Sequence, residues 1–315
     1  MNDQTAKRAL ITGVSGFAGR HLAELLVQNG WAVSGTTNTR SCDVAGVTSH
    51  ALQIDDVAAL GALIGSVEPD VVFHLAAIVD TVRTPSIMEL HRVNTMGTVA
   101  VTEAIAESGS RARLVFASSS FAYGRVGENS AAIPESTELR PVTAYGASKA
   151  AAEQIVWQHA RLRDADVVVT RAFQHTGPGH TGAYALADWG RQLAEIEQRG
   201  EHGAIATGNL AVERDYLDVR DVAAAYLAVA ERGHRGGTYN VCSGEPLAME
   251  VLLRGLIASF GIEVEIETDA RRLRKVDQPV FAGDPRRLSN DTGWRRRVTL
   301  EDTLDALASY WRART

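Results

Sequence analysis

Two cysteines, Cys42 and Cys242, are all that the 315 residues provide. That is too few for a disulfide framework or a four-thiolate zinc site, and it predicts a reducing, cytoplasmic compartment. The nine histidines show neither H-x-x-x-H spacing nor pairing with the cysteines, so no metal is expected. Nowhere does an apolar run reach the roughly 18 residues of a membrane span, and the polar start Met1-Asn2-Asp3-Gln4-Thr5 predicts no signal peptide. Basic charge is in deficit too, with 32 Lys and Arg against 38 Asp and Glu and a net charge of -6. Without a positive field, nucleic acid and membrane surfaces are excluded as partners, and a bound phosphate must be held by local groups. Low-complexity linkers and internal repeats are absent as well. What remains is an ordinary soluble composition, 45% hydrophobic and 22% charged. The length suffices for two domains or one large α/β unit with an appendage.

The first organised stretch is Arg8-Ala9-Leu10-Ile11-Thr12, an apolar run ending at Gly13-Val14-Ser15-Gly16-Phe17-Ala18-Gly19. Leu22, Leu25, Leu26 and Val27 then fall at helical spacing. Strand, glycine turn and helix in that order fit either a tight βα loop or a phosphate cradle. In the cradle Gly13 permits the turn, Gly16 admits a pyrophosphate and Gly19 lets helix and strand pack closely. A second strand over 31–37 ends without the Asp or Glu that would bind an unmodified adenosine ribose. It offers Thr37, Asn38 and Arg40, which suit a ribose 2′-phosphate or else form a solvated loop. Further strands are predicted over 51–54, 71–77 and 114–117, with helices around Leu60, Leu63 and Ile64 and over 93–108. This βαβ alternation implies a parallel sheet covered on both faces.

Tyr145 and Lys149 lie one helical turn apart in Tyr145-Gly146-Ala147-Ser148-Lys149. An ammonium beside a phenol favours the phenolate and moves its pKa toward the working range, making Tyr145 a candidate acid/base. An exposed Tyr and Lys on a helix surface would read the same way.

Several motifs occur in one order: Gly13-x-x-Gly16-x-x-Gly19, His74-Leu75-Ala76-Ala77, Ser118-Ser119-Ser120 with Tyr123-Gly124, and Tyr145-x-x-x-Lys149. In this order they resemble the extended short-chain dehydrogenase/reductase family, in its sugar-nucleotide branch. The resemblance implies a Rossmann-type doubly wound parallel sheet with a smaller C-terminal substrate lobe. Residues 1–170 with about 211–242 would form the cofactor domain, and about 171–210 with 243–315 the lobe. It implies that Ser119 holds the sugar oxygen, Tyr145 exchanges its proton and Lys149 binds the nicotinamide ribose. It adds Ser15, Phe17, Ile54, Asp55, Leu75, Ala76, Ala77 and Phe173 to the cofactor contacts, with NADP(H) favoured and NAD(H) possible.

The second half narrows the resemblance to enzymes of GDP-linked 6-deoxyhexoses, through Arg171 to Gly179, Gly208-Asn209-Leu210, Arg214-Asp215-Tyr216, Tyr239 to Gly244, and Arg272 to Asp277. It implies a GDP-sugar substrate contacted by Gln174, His175, Asn209, Leu210, Arg214, Arg274 and Asp277, and a homodimer built on the helix over 93–108 and the face Ala150, Ala151, Ile155 and Val156. Three places depart from the branch: Phe121 stands where its dehydratases carry Glu, Gln174 replaces an Asn, and Ile78-Val79-Asp80 is more apolar than the usual sugar-contacting hydroxyl segment. A phenyl ring transfers no proton. Reduction of a 4-keto group is therefore expected ahead of 4,6-dehydration, with 4-epimerisation or 4,6-dehydration of a sugar nucleotide as the other enzymatic readings and a non-catalytic cofactor sensor as a remote one.

Overall fold

Alternation along the first strand decides the layering. In β1 (Arg8–Thr12) Ala9 and Ile11 face one side, Leu10 faces the other, and all three are fully buried, so both faces of the strand need a cover. The chain supplies it in α1 (Phe17–Gln28), β2 (Ala32–Thr37), β3 (Val47–Ala51), α2 (Val57–Val67), β4 (Val71–His74), α3 (Ile87–His91), α4 (Gly97–Glu107), β5 (Arg113–Ser119), α5 (Ala144–Arg163) and β6 (Val167–Ala172). There follow β7 (Gln174–Thr176), α6 (Ala185–Arg199), β8 (Gly203–Thr207), β9 (Glu213–Asp218), α7 (Val219–Arg232) and β10 (Thr238–Val241). The last elements are β11 (Pro246–Ala248), α8 (Met249–Phe260), β12 (Val264–Thr268), β13 (Val280–Phe281), α9 (Arg286–Thr292) and α10 (Leu300–Arg312). The computed structural model describes residues 6–79, 86–127, 132–181, 184–200, 202–273 and 278–315.

Seven parallel strands form one sheet in the order β10-β6-β5-β4-β1-β2-β3. Strand order reverses between β1 and β4, so their carboxyl ends open the crevice where sheets of this kind bind ligands. One face carries α1 and α7; the other carries α2, α4 and α5. A second cluster of strands, β11-β9-β13 with β7 on β9, joins the sheet to a lobe made of α6, α8, α10 and the β8–β12 pair around Trp189, Leu193, Leu252 and Leu307. The chain also returns late to the first core. Leu288 of α9 and Trp294 are buried with β1 and α7, and the Trp294 indole donates to the Asp221 carbonyl at 3.1 Å. That part of 243–315 therefore sits with the sheet and not with the lobe.

Three local expectations need correction. The third strand is Val47–Ala51, not 51–54: Leu52 and Ile54 are apolar because they pack on the core beyond the strand end, while β3 is a half-exposed edge of mixed polarity. The strand over 71–77 stops at His74. The helix over 93–108 begins earlier, at Ile87, and passes through a π turn over Arg92–Met96 before α4. Ser86 caps it by accepting from the Glu89 amide, a Ser-x-x-Glu start visible in the sequence. On α5, Val156 is core, whereas Ala150, Ala151 and Ile155 stay half-buried.

The turn after β1 leaves no room for side chains. A Cβ at Gly19 would stand 2.4 Å from the Gly13 carbonyl oxygen, so Gly19→Ala must push α1 away from β1. The expected loss is about 1–3 kcal/mol in a denaturant titration; an unchanged midpoint would show that the helix can shift freely.

Candidate active site

At the mouth of the crevice the glycine turn is pinned from two sides. Gly13 has φ +73°, and its amide donates to the Thr36 carbonyl at 3.1 Å; a Cβ there would come within 2.9 Å of the Ala76 Cα. Gly16 is the N-cap of α1 and brings no side-chain acceptor, so the first amides of the helix and its positive dipole end are presented to the crevice. A cradle of this shape, with its amides free of a cap, fits a pyrophosphate. Thr37 closes β2 in a buried position, Asn38 and Arg40 beyond it are exposed, and Gln53 donates to the Asn38 side chain at 3.1 Å. Ile54 packs against the small surface of Gly97, and Asp55 pairs with Arg92 at 2.6 Å.

Ser119, Tyr145 and Lys149 stand where β5 and α5 meet. Thr143 caps α5 by accepting from the Gly146 amide at 3.0 Å. A Cβ at Gly146 would lie 2.3 Å from the Phe121 carbonyl oxygen, so glycine there lets the helix start touch the turn after β5. That closeness brings the Ser119 hydroxyl beside the Tyr145 phenol, near enough to favour the phenolate. Ser119 also accepts from the Phe121 amide at 3.2 Å. The Phe121 ring meets Tyr145 edge-on, centroids 6.0 Å apart.

Charge in this corner departs from the sequence expectation. Burial drives the Tyr145 pKa up, Ser119 opposes the rise by bonding to the phenolate, and Tyr184 adds to it. Lys149 does not bring the phenol toward neutrality here: withdrawal of the phenol from water is the largest influence, and the Lys149 charge is not among those that move it. The same burial lowers Lys149 to about 8, partly opposed by Glu153. Its ammonium lies 4.5 Å from the centre of the Phe116 ring.

Behind these groups is an ion pair that the sequence reading passed over. Glu153 follows Lys149 by one more turn, so Tyr145-x-x-x-Lys149-x-x-x-Glu153 forms a single stripe. Glu153 has no exposure; it accepts from Ser118 at 2.5 Å and from both arms of Arg171 at 3.0 and 2.7 Å. Arg171 also donates to the Glu135 carbonyl and lies over the Tyr123 ring at 4.8 Å. Ser118 is thereby fixed next to Ser119, and β5, β6 and α5 are tied at one point.

Across the crevice, Phe17 from the glycine turn is stacked between His175 at 5.8 Å and His180 at 4.5 Å, and His180 stacks on Tyr184 at 4.4 Å. The His21 ring meets the Pro178 carbonyl at 2.8 Å. Burial lowers His175 and takes His180 down to about 3, with His175 contributing to the latter, so these rings are neutral. Gln174 keeps a buried side-chain oxygen without a hydrogen-bond partner. Phe173 is core, packed on Phe281 and Tyr123. Arg214 is buried and donates to the Glu213 and Gln278 carbonyls, while its neighbour Asp215 gathers Ser243, Gly244 and Gly283 onto one carboxylate. Asn209 is exposed and Leu210 half-buried against the lobe core. Leu75, Ala76 and Ala77 follow β4 at the crevice, and Ser15 lies in the glycine turn. Arg274 and Asp277 lie outside the described residues.

Among the described residues no group of acids, histidines and cysteines could hold a metal ion, and no helix is long and apolar enough to cross a membrane.

A seven-stranded doubly wound sheet with a glycine cradle at its switch point and a Ser-Tyr-Lys corner at its carboxyl edge defines a nicotinamide-nucleotide enzyme of the sugar-nucleotide type. The chain belongs to the NAD dependent epimerase/dehydratase family, which matches residues 9–242. It is 32% identical to the GDP-6-deoxy-D-mannose reductase of Pseudomonas aeruginosa, over 98% of both chains. The solved structure of RMD from Pseudomonas aeruginosa complexed with NADPH superposes with a TM-score of 0.87 at 30% identity, covering 98% of this chain and all of that one. UDP-glucose 4-epimerase of Thermus thermophilus in complex with NAD gives 0.85 at 26% identity, again over 98% and 100%. NAD(P) binding and sugar-nucleotide oxidoreduction follow for this chain.

The buried pair makes a testable statement about what holds the corner. Glu153→Gln strands the Arg171 charge and should cost about 3–5 kcal/mol, whereas replacing both Glu153 and Arg171 by Met should cost less than either single change. Thermal or denaturant unfolding of the three variants checks this, and additive losses would contradict it.

Proposed function

We propose that the protein reduces the 4-keto group of a GDP-4-keto-6-deoxyhexose, converting GDP-4-keto-6-deoxy-D-mannose to GDP-D-rhamnose, with NADPH as the favoured reductant and NADH as a possible one. The observation that carries this reading is the corner at the end of β5, where a serine hydroxyl stands beside a half-buried phenol held in its protonated form and a phenyl ring packs against that phenol. Reduction asks this strand for a proton donor and an oxygen binder, both of which it has. Removing a proton from carbon 5 and the hydroxyl from carbon 6 would ask for a carboxylate, and position 121 offers phenylalanine. The similarity to the Pseudomonas aeruginosa reductase supports the same reading.

Bound in the glycine cradle, a reduced nicotinamide supplies the hydride that carbon 4 accepts. Tyr145 gives its phenolic proton to the carbon 4 oxygen as the carbonyl becomes an alcohol, and Ser119 donates a hydrogen bond to that oxygen while charge builds on it. Lys149 directs its ammonium to the nicotinamide ribose and offsets the charge left on the Tyr145 oxygen; lowered only to about 8, it keeps its proton near neutral pH. Thr37, Asn38 and Arg40 receive the 2′-phosphate end of the cofactor, since the strand end carries no carboxylate to repel it. On the substrate side Arg214 stands by the diphosphate, with Gln174, His175, Asn209 and Leu210 bordering the nucleotide. The division into a cofactor half and a substrate lobe, and a homodimer through α4 and α5, belong to the same proposal.

The test is turnover of the keto sugar with each reduced cofactor, followed by loss of nicotinamide absorbance and by NMR of the product. Tyr145→Phe should keep cofactor affinity and lose a factor of about 10²–10⁴ in kcat. Near-normal turnover in that variant removes Tyr145 from the acid role, and production of a keto sugar from GDP-mannose by the unaltered protein overturns the reductase reading.

A further inference from the structure

A buried histidine that the chemistry above does not use links the cofactor turn to the catalytic helix. His74, the last residue of β4, is 1% exposed. Its Nδ1 is 2.7 Å from Thr12 Oγ1 and its Nε2 is 3.0 Å from Thr98 Oγ1. The direction of each bond follows from the neighbours. Thr98 has one hydroxyl proton and gives it to the Asn94 carbonyl at 2.7 Å, so toward His74 it can only accept, and Nε2 carries a proton. Thr12 Oγ1 already accepts from the Ala76 amide at 3.2 Å, and its own proton goes to a bare Nδ1.

A doubly protonated ring would leave the Thr12 proton without this acceptor and would set a second cation near Lys149. The groups around His74 agree with a neutral ring: Lys149 approaches from α5, the Phe116 ring from β5 at 5.6 Å, and no acid is among its contacts in the described residues. Burial first, and then Lys149, lowers its pKa to about 3.

Beyond Thr98 the bonds continue in one direction. The π turn presents Asn94, which is 1% exposed, accepts from the Ile78 amide at 2.8 Å and donates to Ser148 Oγ at 3.0 Å. Ser148 in turn donates to the Tyr145 carbonyl at 2.8 Å. The path therefore runs from Ala76, which abuts Gly13, through His74 and the π turn to the residue bearing the phenol. Irregular helical turns of this kind are common at functional sites.

We propose that His74 is a positioning residue: as the neutral Nε2–H tautomer it couples the cofactor turn to the π turn at Asn94 and so sets where Tyr145 stands when the cofactor is bound. The inference rests on the reading of Tyr145 given above, yet its main test requires no sugar turnover.

Two measurements test it on the full-length protein. With histidine labelled by ¹⁵N, His74 should show a protonated Nε2 and an unprotonated Nδ1 that persist down to about pH 5; an Nδ1–H tautomer or a charged ring there overturns the proposal. Hydrogen exchange of the amides in 92–98 should slow by about fivefold or more on addition of NADPH in the unaltered protein and in Thr98→Ser, which retains the hydroxyl, and should not slow in Thr98→Val. A Thr98→Val variant that still binds NADPH and still shows the slowing would make His74 a packing residue only, as would the absence of slowing in the unaltered protein. Failure of the reductase reading would show itself separately, as lack of turnover in a protein that still couples cofactor binding to the π turn.

Discussion

β1 and β4 end so close together that a single added carbon would not fit: the first side-chain atom at position 13 would stand 2.9 Å from the Ala76 Cα. Everything at the crevice inherits that spacing. Gly13 with a positive φ turns the chain back under Thr36, Gly19 holds α1 against the turn, and the uncapped start of α1 faces the gap. Tyr145 is brought to the same gap by a second close approach, Gly146 against the Phe121 carbonyl. Two backbone contacts that only glycine allows thus set the distance between the cofactor cradle and the phenol.

Among the described residues, the cation beside the phenol is Lys149, itself largely withdrawn from water. Burial raises Tyr145 and lowers Lys149, so the phenol holds its proton and the ammonium holds its own only up to about 8. For reduction this is a suitable resting state, because the group that must deliver a proton begins protonated. The neighbouring charges are confined: Glu153 is locked to Arg171, and His74 is neutral.

Much of this was legible in the sequence, for identifiable reasons. The glycine spacing, the Tyr-x-x-x-Lys turn and the strand ending in serines are local patterns, and local patterns survive without coordinates. The edge strand β3 was misplaced because Val47–Ala51 has no apolar face to announce it, while Leu52 and Ile54 just beyond do. The Phe17–His175–His180–Tyr184 stack and the Glu153–Arg171 pair join residues far apart in the chain, so only the packed structure unites them. The direction of the Tyr145 shift is not legible for a similar reason: a helix turn shows which charge is adjacent, but not how much water is missing.

In the proposed reaction this crevice passes a hydride from nicotinamide to carbon 4 of a keto sugar while Tyr145 supplies the proton. Reduced cofactor deuterated at carbon 4 of the nicotinamide, incubated with the protein and GDP-4-keto-6-deoxy-D-mannose, tests it most directly. One deuterium should appear at carbon 4 of the sugar, seen as a mass increase of one unit and loss of that proton signal by NMR, with one oxidised cofactor formed per sugar reduced. Sugar turned over without consumption of the reduced cofactor, or deuterium found at any other carbon, would contradict it.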